Sequence, residues 1–352
     1  MPHLWKPLIV WIFLCVIILL PGRNASAAGI VDTLFQSERI IEMELRSDFS
    51  AIQEDRAEEP ENHDGELIYL TNKSDTVRLS VLVMARGNFR RDPLNCSFPP
   101  IMVNFKKKEV ENTLFDNQNK LKLVTPCQTE EDVLEEYLIY KMYNLVTDIS
   151  HRVRLVKMFY FDTGRNKRLF ERYSFFIEDE DHVAERNDCF EKDKFITPFD
   201  MDQDNVKKMS VFQYMIGNKD WYITSRHNIK ILQPLDTTKV PYALPYDFDF
   251  SAFINADYTK PKGVPDEMLE NRRVYKGLCY SREEFYEIFE FYRGLRPQFD
   301  ALIMQMDGIS KYSRKLAVRY IGYFYNVIED DALIEKEFYG TCNTRKDYFK
   351  FE

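Results

Sequence analysis

The chain has 352 residues, 45% hydrophobic and 30% charged, with 27 Phe and 21 Tyr against 12 Gly. That composition can fill a large packed core and excludes disordered and collagen-like classes. A formal charge of −9 argues against a nucleic-acid partner, which requires a surplus of Lys and Arg.

Residues 1–27 read as a signal peptide. Lys6 gives a short positive region, residues 8–20 are an unbroken apolar run, Pro21-Gly22 breaks it, and Ala25-Ser26-Ala27 offers small residues for cleavage. The run is shorter than the roughly 20 residues of a spanning helix, so no transmembrane domain is expected after cleavage. An uncleaved anchor is the alternative. Export to the periplasm, cell envelope or medium is therefore expected, and it makes the cysteines informative. Beyond Cys15 there are five, Cys96, Cys127, Cys189, Cys279 and Cys342. Local context pairs Cys96 with Cys127 and Cys279 with Cys342, leaving one thiol free. The five histidines are scattered, and none falls in a zinc spacing.

Ile40, Ile41, Met43 and Leu45 suggest a first strand, followed by a charged loop over residues 54–65. Residues 66–70 and 76–84 alternate as antiparallel strands joined by the turn Asn72-Lys73-Ser74-Asp75. Further strands are expected over residues 101–105 and 120–124. Lys106-Lys107-Lys108 reads as an exposed strand end that discourages edge pairing. Thr129, followed by three acidic residues, caps a helix whose Val133, Tyr137, Tyr140, Met142 and Leu145 recur at helical spacing. Strands over residues 153–161 and 171–177 flank the turn Thr163-Gly164-Arg165-Asn166. The acidic residues 178–188 read as a connector, and the remainder as mostly helical, notably residues 205–217 and from 282 onward. The stripe Phe285, Tyr286, Phe289, Phe291 and Tyr292 is expected in the core.

One stretch carries chemistry. Asp220 and Asn228 precede a hydrophobic strand, a loop and a second strand that ends in Asp247 and Asp249. Phosphoryl transfer needs such a set: a carboxylate to orient the acceptor hydroxyl, and an amide oxygen with a carboxylate to hold a divalent cation. The bland alternatives are a turn cap for Asp220, a solvated strand face for Lys122, and an edge strand over residues 246–250. There is no GxSxG elbow, P-loop or dinucleotide fingerprint. A carbohydrate-active enzyme would need two opposed carboxylates, which spacing does not identify.

In motif order the chain resembles the spore-coat CotH kinase-like family, an atypical protein-kinase branch, over roughly residues 81–253. The resembling pieces are Arg86-Gly87-Asn88, Lys120-Leu121-Lys122-Leu123, Glu136-Tyr137-Leu138-Ile139-Tyr140, Phe175-Phe176-Ile177-Glu178, Asn218-x-Asp220, His227-Asn228 and Pro245-Tyr246-Asp247-Phe248-Asp249. The resemblance implies an α+β, two-lobed atypical kinase-like fold, with a β-rich N-lobe over residues 28–180 and a mainly helical C-lobe over residues 181–352. It implies ATP with Mg²⁺ or Mn²⁺ as cofactor and a protein or small-molecule hydroxyl as acceptor. Asp220 would be the catalytic carboxylate, Asn228, Asp247 and Asp249 the metal ligands, and Arg86, Lys120 or Lys122, and Glu136 the nucleotide-contacting set, with a Lys–Glu136 pair. Two departures stand out. Asp220 and Asn228 are eight residues apart, so either residues 221–226 bulge out or Asn228 is not the metal ligand. The basic and serine-rich run after the Arg-Gly-Asn turn is replaced by Asp92-Pro93-Leu94-Asn95-Cys96. The alternative function is a catalytically inactive envelope protein used for binding or assembly.

Overall fold

Alternation of buried and half-exposed side chains runs through the first strands and explains why they pair face-inward. They are Ile41–Ser47 (β1), His63–Leu70 (β2), Thr76–Ala85 (β3), Ile101–Phe105 (β4) and Lys120–Val124 (β5). The hairpin Val153–Asp162 (β6) and Lys167–Ile177 (β7) follows, about the expected turn. This computed structural model describes residues 34–348, apart from residues 56, 72–73, 88, 255, 257–258 and 260–272. The expected signal peptide, Asn72-Lys73 of the first turn, and Asn88 lie outside the described residues.

The seven strands close into a barrel in the order β1-β2-β3-β4-β5-β7-β6. Closure is made by β1, which runs parallel to β6 from Ile41↔Val156 to Ser47↔Asp162 while pairing antiparallel with β2 on its other side. The remaining neighbours are antiparallel. Met43, Leu45, Leu67, Val81, Val83, Val103, Leu121, Leu123, Met158, Tyr160 and Phe176 fill one core. The short helix Phe49–Glu54 (α1) adds Phe49 and Ile52 to that core, and Phe49 meets the rings of Phe98 and Tyr160 at 5.3 and 5.6 Å.

The expected two-lobed kinase-like arrangement with a sheet N-lobe is thereby overturned. The strands make a closed seven-stranded barrel with helices, and residues 32–352 group as one unit. Closure depends on β1–β6 pairing across more than a hundred residues, which no local pattern announces. It leaves the barrel no unpaired edge. Lys106 to Lys108 do not end an edge strand: Lys107–Val110 (α2) is a short turn of helix with its lysines exposed and Val110 in the barrel core.

Outside the barrel, Glu130–Val146 (α3) starts at Thr129, whose hydroxyl accepts from Asp132 N at 3.3 Å. It is buried nearly all round and packs on β6 and β7, α5 and α6. The acidic segment expected as a connector instead forms Glu180–Arg186 (α4), with Glu178 buried and paired to Arg186 at 3.0 Å. A second sheet, of Cys189–Glu191 (β8), Ile229–Pro234 (β9) and Tyr242–Pro245 (β10), has the order β10-β9-β8. Gln203–Ile216 (α5) ends at Gly217, which has φ +67°, and a Cβ there would collide with Tyr320 Oη. Arg282–Gln305 (α6) opens on a Ser281–Glu284 capping box, and Lys311–Ile328 (α7) on Ser310. Phe285, Phe289 and Tyr292 are buried, with Tyr286 and Phe291 packed against them, as the stripe required.

Both disulfides expected from local context, Cys96–Cys127 and Cys279–Cys342, are present, and Cys189 is free and buried. They close loops with sequence separations of 31 and 63. Replacing either pair by serines should lower the unfolding free energy by about 4 kcal/mol, slightly more for the longer loop. Urea unfolding without reductant reads this; serine pairs as stable as the parent would show that these cross-links do not restrain the unfolded chain.

Candidate functional site

Asp220 leaves the Gly217 cap on a tight loop. Asn218 is buried and its Oδ1 accepts from Asp220 N at 2.9 Å, which fixes the backbone there. Tyr222 and His227 then exchange two backbone hydrogen bonds of 3.0 Å, so residues 221–226 bulge out and return. Arg226 and Asn228, at φ +54° each, make the return. Lys276 braces this loop by donating to Lys219 O at 2.7 Å and Trp221 O at 3.1 Å, with its ammonium 3.4 Å from the centre of the Tyr222 ring.

The loop brings three side chains together. His227 Nε2 lies 2.7 Å from Asp220 Oδ1, and Asn228 Nδ2 donates to Asp220 Oδ2 at 3.1 Å and to its carbonyl at 2.8 Å. The eight-residue spacing that departed from the family pattern is absorbed by this bulge. Asp220 and His227 remain accessible, with side chains 39% and 51% exposed, so the pair can meet a solute.

The connection to Asp247 runs through backbone. Pro245 pairs with Ile229, and Tyr246 N donates to Asn228 O at 3.1 Å. Asp247 then takes φ +60°, and its N–H donates to Tyr140 Oη of α3 at 3.0 Å. That turn sends Phe248 inward, its ring 4.8 Å from Tyr140, so residues 246–250 do not form the edge strand considered above. Asp249 is buried.

Glu136 projects from α3 into the same region and is also buried. Arg90 Nη1 lies 4.0 Å from Glu136 Oε2 and 3.9 Å from Asp249 Oδ2, while its Nη2 donates to Thr125 O at 2.5 Å. Burial first, then the charges of Asp249 and Asp247, push the Glu136 carboxyl well above the usual carboxylate range, with Arg90 and Arg86 opposing. Arg86 sits directly after β3, beside the exposed Gly87 at φ +73°.

The predicted lysines divide. Lys122 is half-buried 5.2 Å from the Tyr246 ring centre, whereas Lys120 is exposed at the start of β5. The carboxylate paired with Lys122 is Glu180, at 3.0 Å, rather than Glu136, whose neighbouring cations are Arg90 and Arg86. Lys230 completes this second ionic group, 3.5 Å from Glu180 and 2.8 Å from Glu191. Burial would raise the Glu180 carboxyl, but Lys122, by charge and hydrogen bond, and then Lys230 outweigh it and hold it down to about 2. Alongside, burial and the Lys122 charge lower His151 to about 4, and its Nδ1 lies 2.8 Å from Glu178 O.

The structure groups Asp220 with Asn228 and His227, sets Glu136 and Asp249 about Arg90, pairs Lys122 with Glu180, joins Asn228 to the Asp247 turn through the backbone of Tyr246, and leaves Lys120 exposed. Sequence reasoning gave no role to His227, Arg90, Tyr140 or Glu180. His227 stands next to Asn228 in the chain, a signal that a short returning loop would have exposed; Arg90 and Glu180 carry no such mark. Among the described residues, no group of three or more His, Cys, Asp or Glu side chains is gathered as a metal-ligand set. No protein-family pattern and no curated protein matches this chain.

The acid side of the stability profile tests these ion pairs. Glu180, depressed from 4.5 to about 2, contributes stability that is complete above pH 4.5 and lost as the pH falls toward 2. His151, depressed from 6.5 to about 4, likewise contributes above pH 6.5 and is lost toward pH 4. Glu180→Gln should cost on the order of 2 kcal/mol at pH 7, allowing for partial solvent screening, and the deficit should shrink below pH 4.5. Urea unfolding of both proteins from pH 7 to 3 checks it; a deficit independent of pH would remove Glu180 as the titrating group.

Proposed function

We propose that this chain binds ATP with Mg²⁺ or Mn²⁺ and transfers a phosphoryl (or nucleotidyl) group to a hydroxyl of a protein or small molecule. The observation that carries the reading is the unbroken link from the accessible Asp220–His227 pair, through Asn228 and Tyr246, to Asp247 and the buried Glu136–Asp249–Arg90 group. The reading rests on these side chains and not on a kinase fold.

Charge balance is compatible with a cation. Glu136, Asp247 and Asp249 face Arg86 and Arg90; burial first, then the two aspartates, favour the neutral Glu136 carboxyl, and a cation entering beside it would displace that proton. Asp247, less buried than Asp249, and Asp249 itself would hold a divalent cation carried in with the nucleotide. Such an ion supplies neutralisation of charge on the phosphate oxygens. The chain's own residues do the rest. Asn228 and His227 each hold one oxygen of the Asp220 carboxylate, which fixes its orientation. Asp220 orients the acceptor hydroxyl and takes its proton as the new oxygen–phosphorus bond forms and the bond to the leaving phosphate breaks. Arg86 places positive charge beside the carboxylates, where transferred phosphate oxygens would meet it, while the buried Arg90 balances Glu136 and Asp249. Two disulfides fit the expected export from a reducing compartment.

One observation favours a second reading, an inactive envelope protein acting in binding or assembly. Glu136 and Asp249, 3% and 4% exposed, already have Arg90 between them, as in a structural ion network. Thermal unfolding with ATP and Mg²⁺ or Mn²⁺ separates the two. Nucleotide at about 100 times its dissociation constant should stabilise the fold by roughly 2.7 kcal/mol, and Asp247→Ala should abolish the metal-dependent rise. Asp220→Asn should keep the rise and lose turnover about 10²- to 10⁴-fold. A well-folded sample that shifts with no nucleotide–metal pair would leave the binding or assembly reading in its place.

A further inference from the structure

The mouth of the barrel holds a charge that the site above does not use. Arg154 lies on the β6 face shared by Val156, Met158 and Tyr160, which belong to the barrel core. It pairs with Phe176, another core residue, across the β6–β7 ladder. The residue is 3% exposed, and neither Nε nor Nη1 meets a hydrogen-bond partner among the described residues. Both atoms belong to a guanidinium that stays charged in proteins. The acid that acts on it, Glu38, is already engaged by Tyr137 Oη at 3.1 Å and Lys141 Nζ at 2.6 Å. A buried guanidinium with donors unmet is destabilising until a partner reaches it.

Arg154 borders a cavity of about 920 Å³, partly open to solvent. That volume is in the range of small-molecule sites, roughly 300–1,000 Å³. Ile41, Met43, Tyr69, Val77 and Leu114 supply apolar wall. Tyr69 Oη accepts from Leu114 N at 3.0 Å, which holds the loop after α2 over one side. Glu42 and Glu44 also border the cavity, and Glu44 is paired with Arg46 at 3.1 Å.

We propose that the barrel mouth binds an amphipathic carboxylate, its head group on the Arg154 guanidinium and its apolar chain along Ile41, Met43, Tyr69, Val77 and Leu114. A carboxylate matches the guanidinium fork with two parallel hydrogen bonds and satisfies donors the fold leaves unmet. Arg39 adds a positive charge at the same rim, but Glu38, Glu42 and Glu44 outnumber it, which selects a singly charged head over a doubly charged phosphate. The apolar wall selects against short acids. This inference is independent of the nucleotide reading, since none of its residues belongs to that site.

Calorimetric titration of the full chain with dodecanoate below its micelle concentration should give one site, with acetate, dodecanol and dodecyl phosphate each at least tenfold weaker. Arg154→Gln should weaken dodecanoate binding at least tenfold while raising the melting temperature of the ligand-free protein, because an unmet buried charge is removed. Leu114→Trp, which narrows the cavity and keeps Arg154, should abolish binding with little change in melting temperature. Absence of dodecanoate binding, equal binding of dodecanol, or unchanged affinity in Arg154→Gln would overturn the site. Tighter binding of dodecyl phosphate would overturn the carboxylate assignment.

Discussion

Burial of α3 on nearly every side is the constraint on which the other parts depend. One side of the helix meets β6 and β7 of the barrel, and others meet α5 and α6. A helix with apolar residues on several sides needs partners on each of them, and Val133, Leu134, Leu138, Ile139 and Met142 supply those buried faces. The polar exceptions are then forced into dry surroundings. Tyr140 answers by accepting from Asp247 N, and Glu136 by standing near Arg90. The position of Asp247 is thus set by the same helix that joins the barrel to the helical half.

Two ionic groups lie side by side in this region and behave differently. Lys122, Glu180, Lys230 and Glu191 alternate in sign at 2.8–3.5 Å, and the group is charge-balanced, so Glu180 stays ionised far into acid. Glu136, Asp247 and Asp249 with Arg86 and Arg90 are richer in negative charge, and the Glu136 proton is held more tightly. The first group acts as a clamp between β5, α4, β8 and β9. The second keeps a carboxyl whose neutral form burial favours, a different balance from the fully ionised clamp.

Arg154 raises the same question in the barrel. Closed barrels of this size usually fill their interiors with side chains, and most of this one does so with aliphatic and aromatic residues. A charged group at its mouth, without a dedicated acid, departs from that rule at one place, next to a cavity. Local violations of packing logic of this kind concentrate where function is served.

Local chemistry determined much of this protein by sequence alone. The strands over residues 101–105 and 120–124, the β6–β7 hairpin, the Thr129 cap, the Gly217 stop and the aromatic stripe of α6 were all legible, because each is written in neighbouring residues. Both disulfide pairings followed too. Barrel closure was not legible, since β1 finds β6 by a parallel pairing that leaves no local mark. The candidate site was half legible. Asp220, Asn228, Asp247 and Asp249 could be named in chain order. That Lys122 would pair with Glu180, that Arg90 would stand between Glu136 and Asp249, and that Arg154 would be buried with Nε and Nη1 unmet among the described residues depended on which elements pack together. Side-chain partners across long sequence separations are chosen by packing, and packing exists only once the chain has folded.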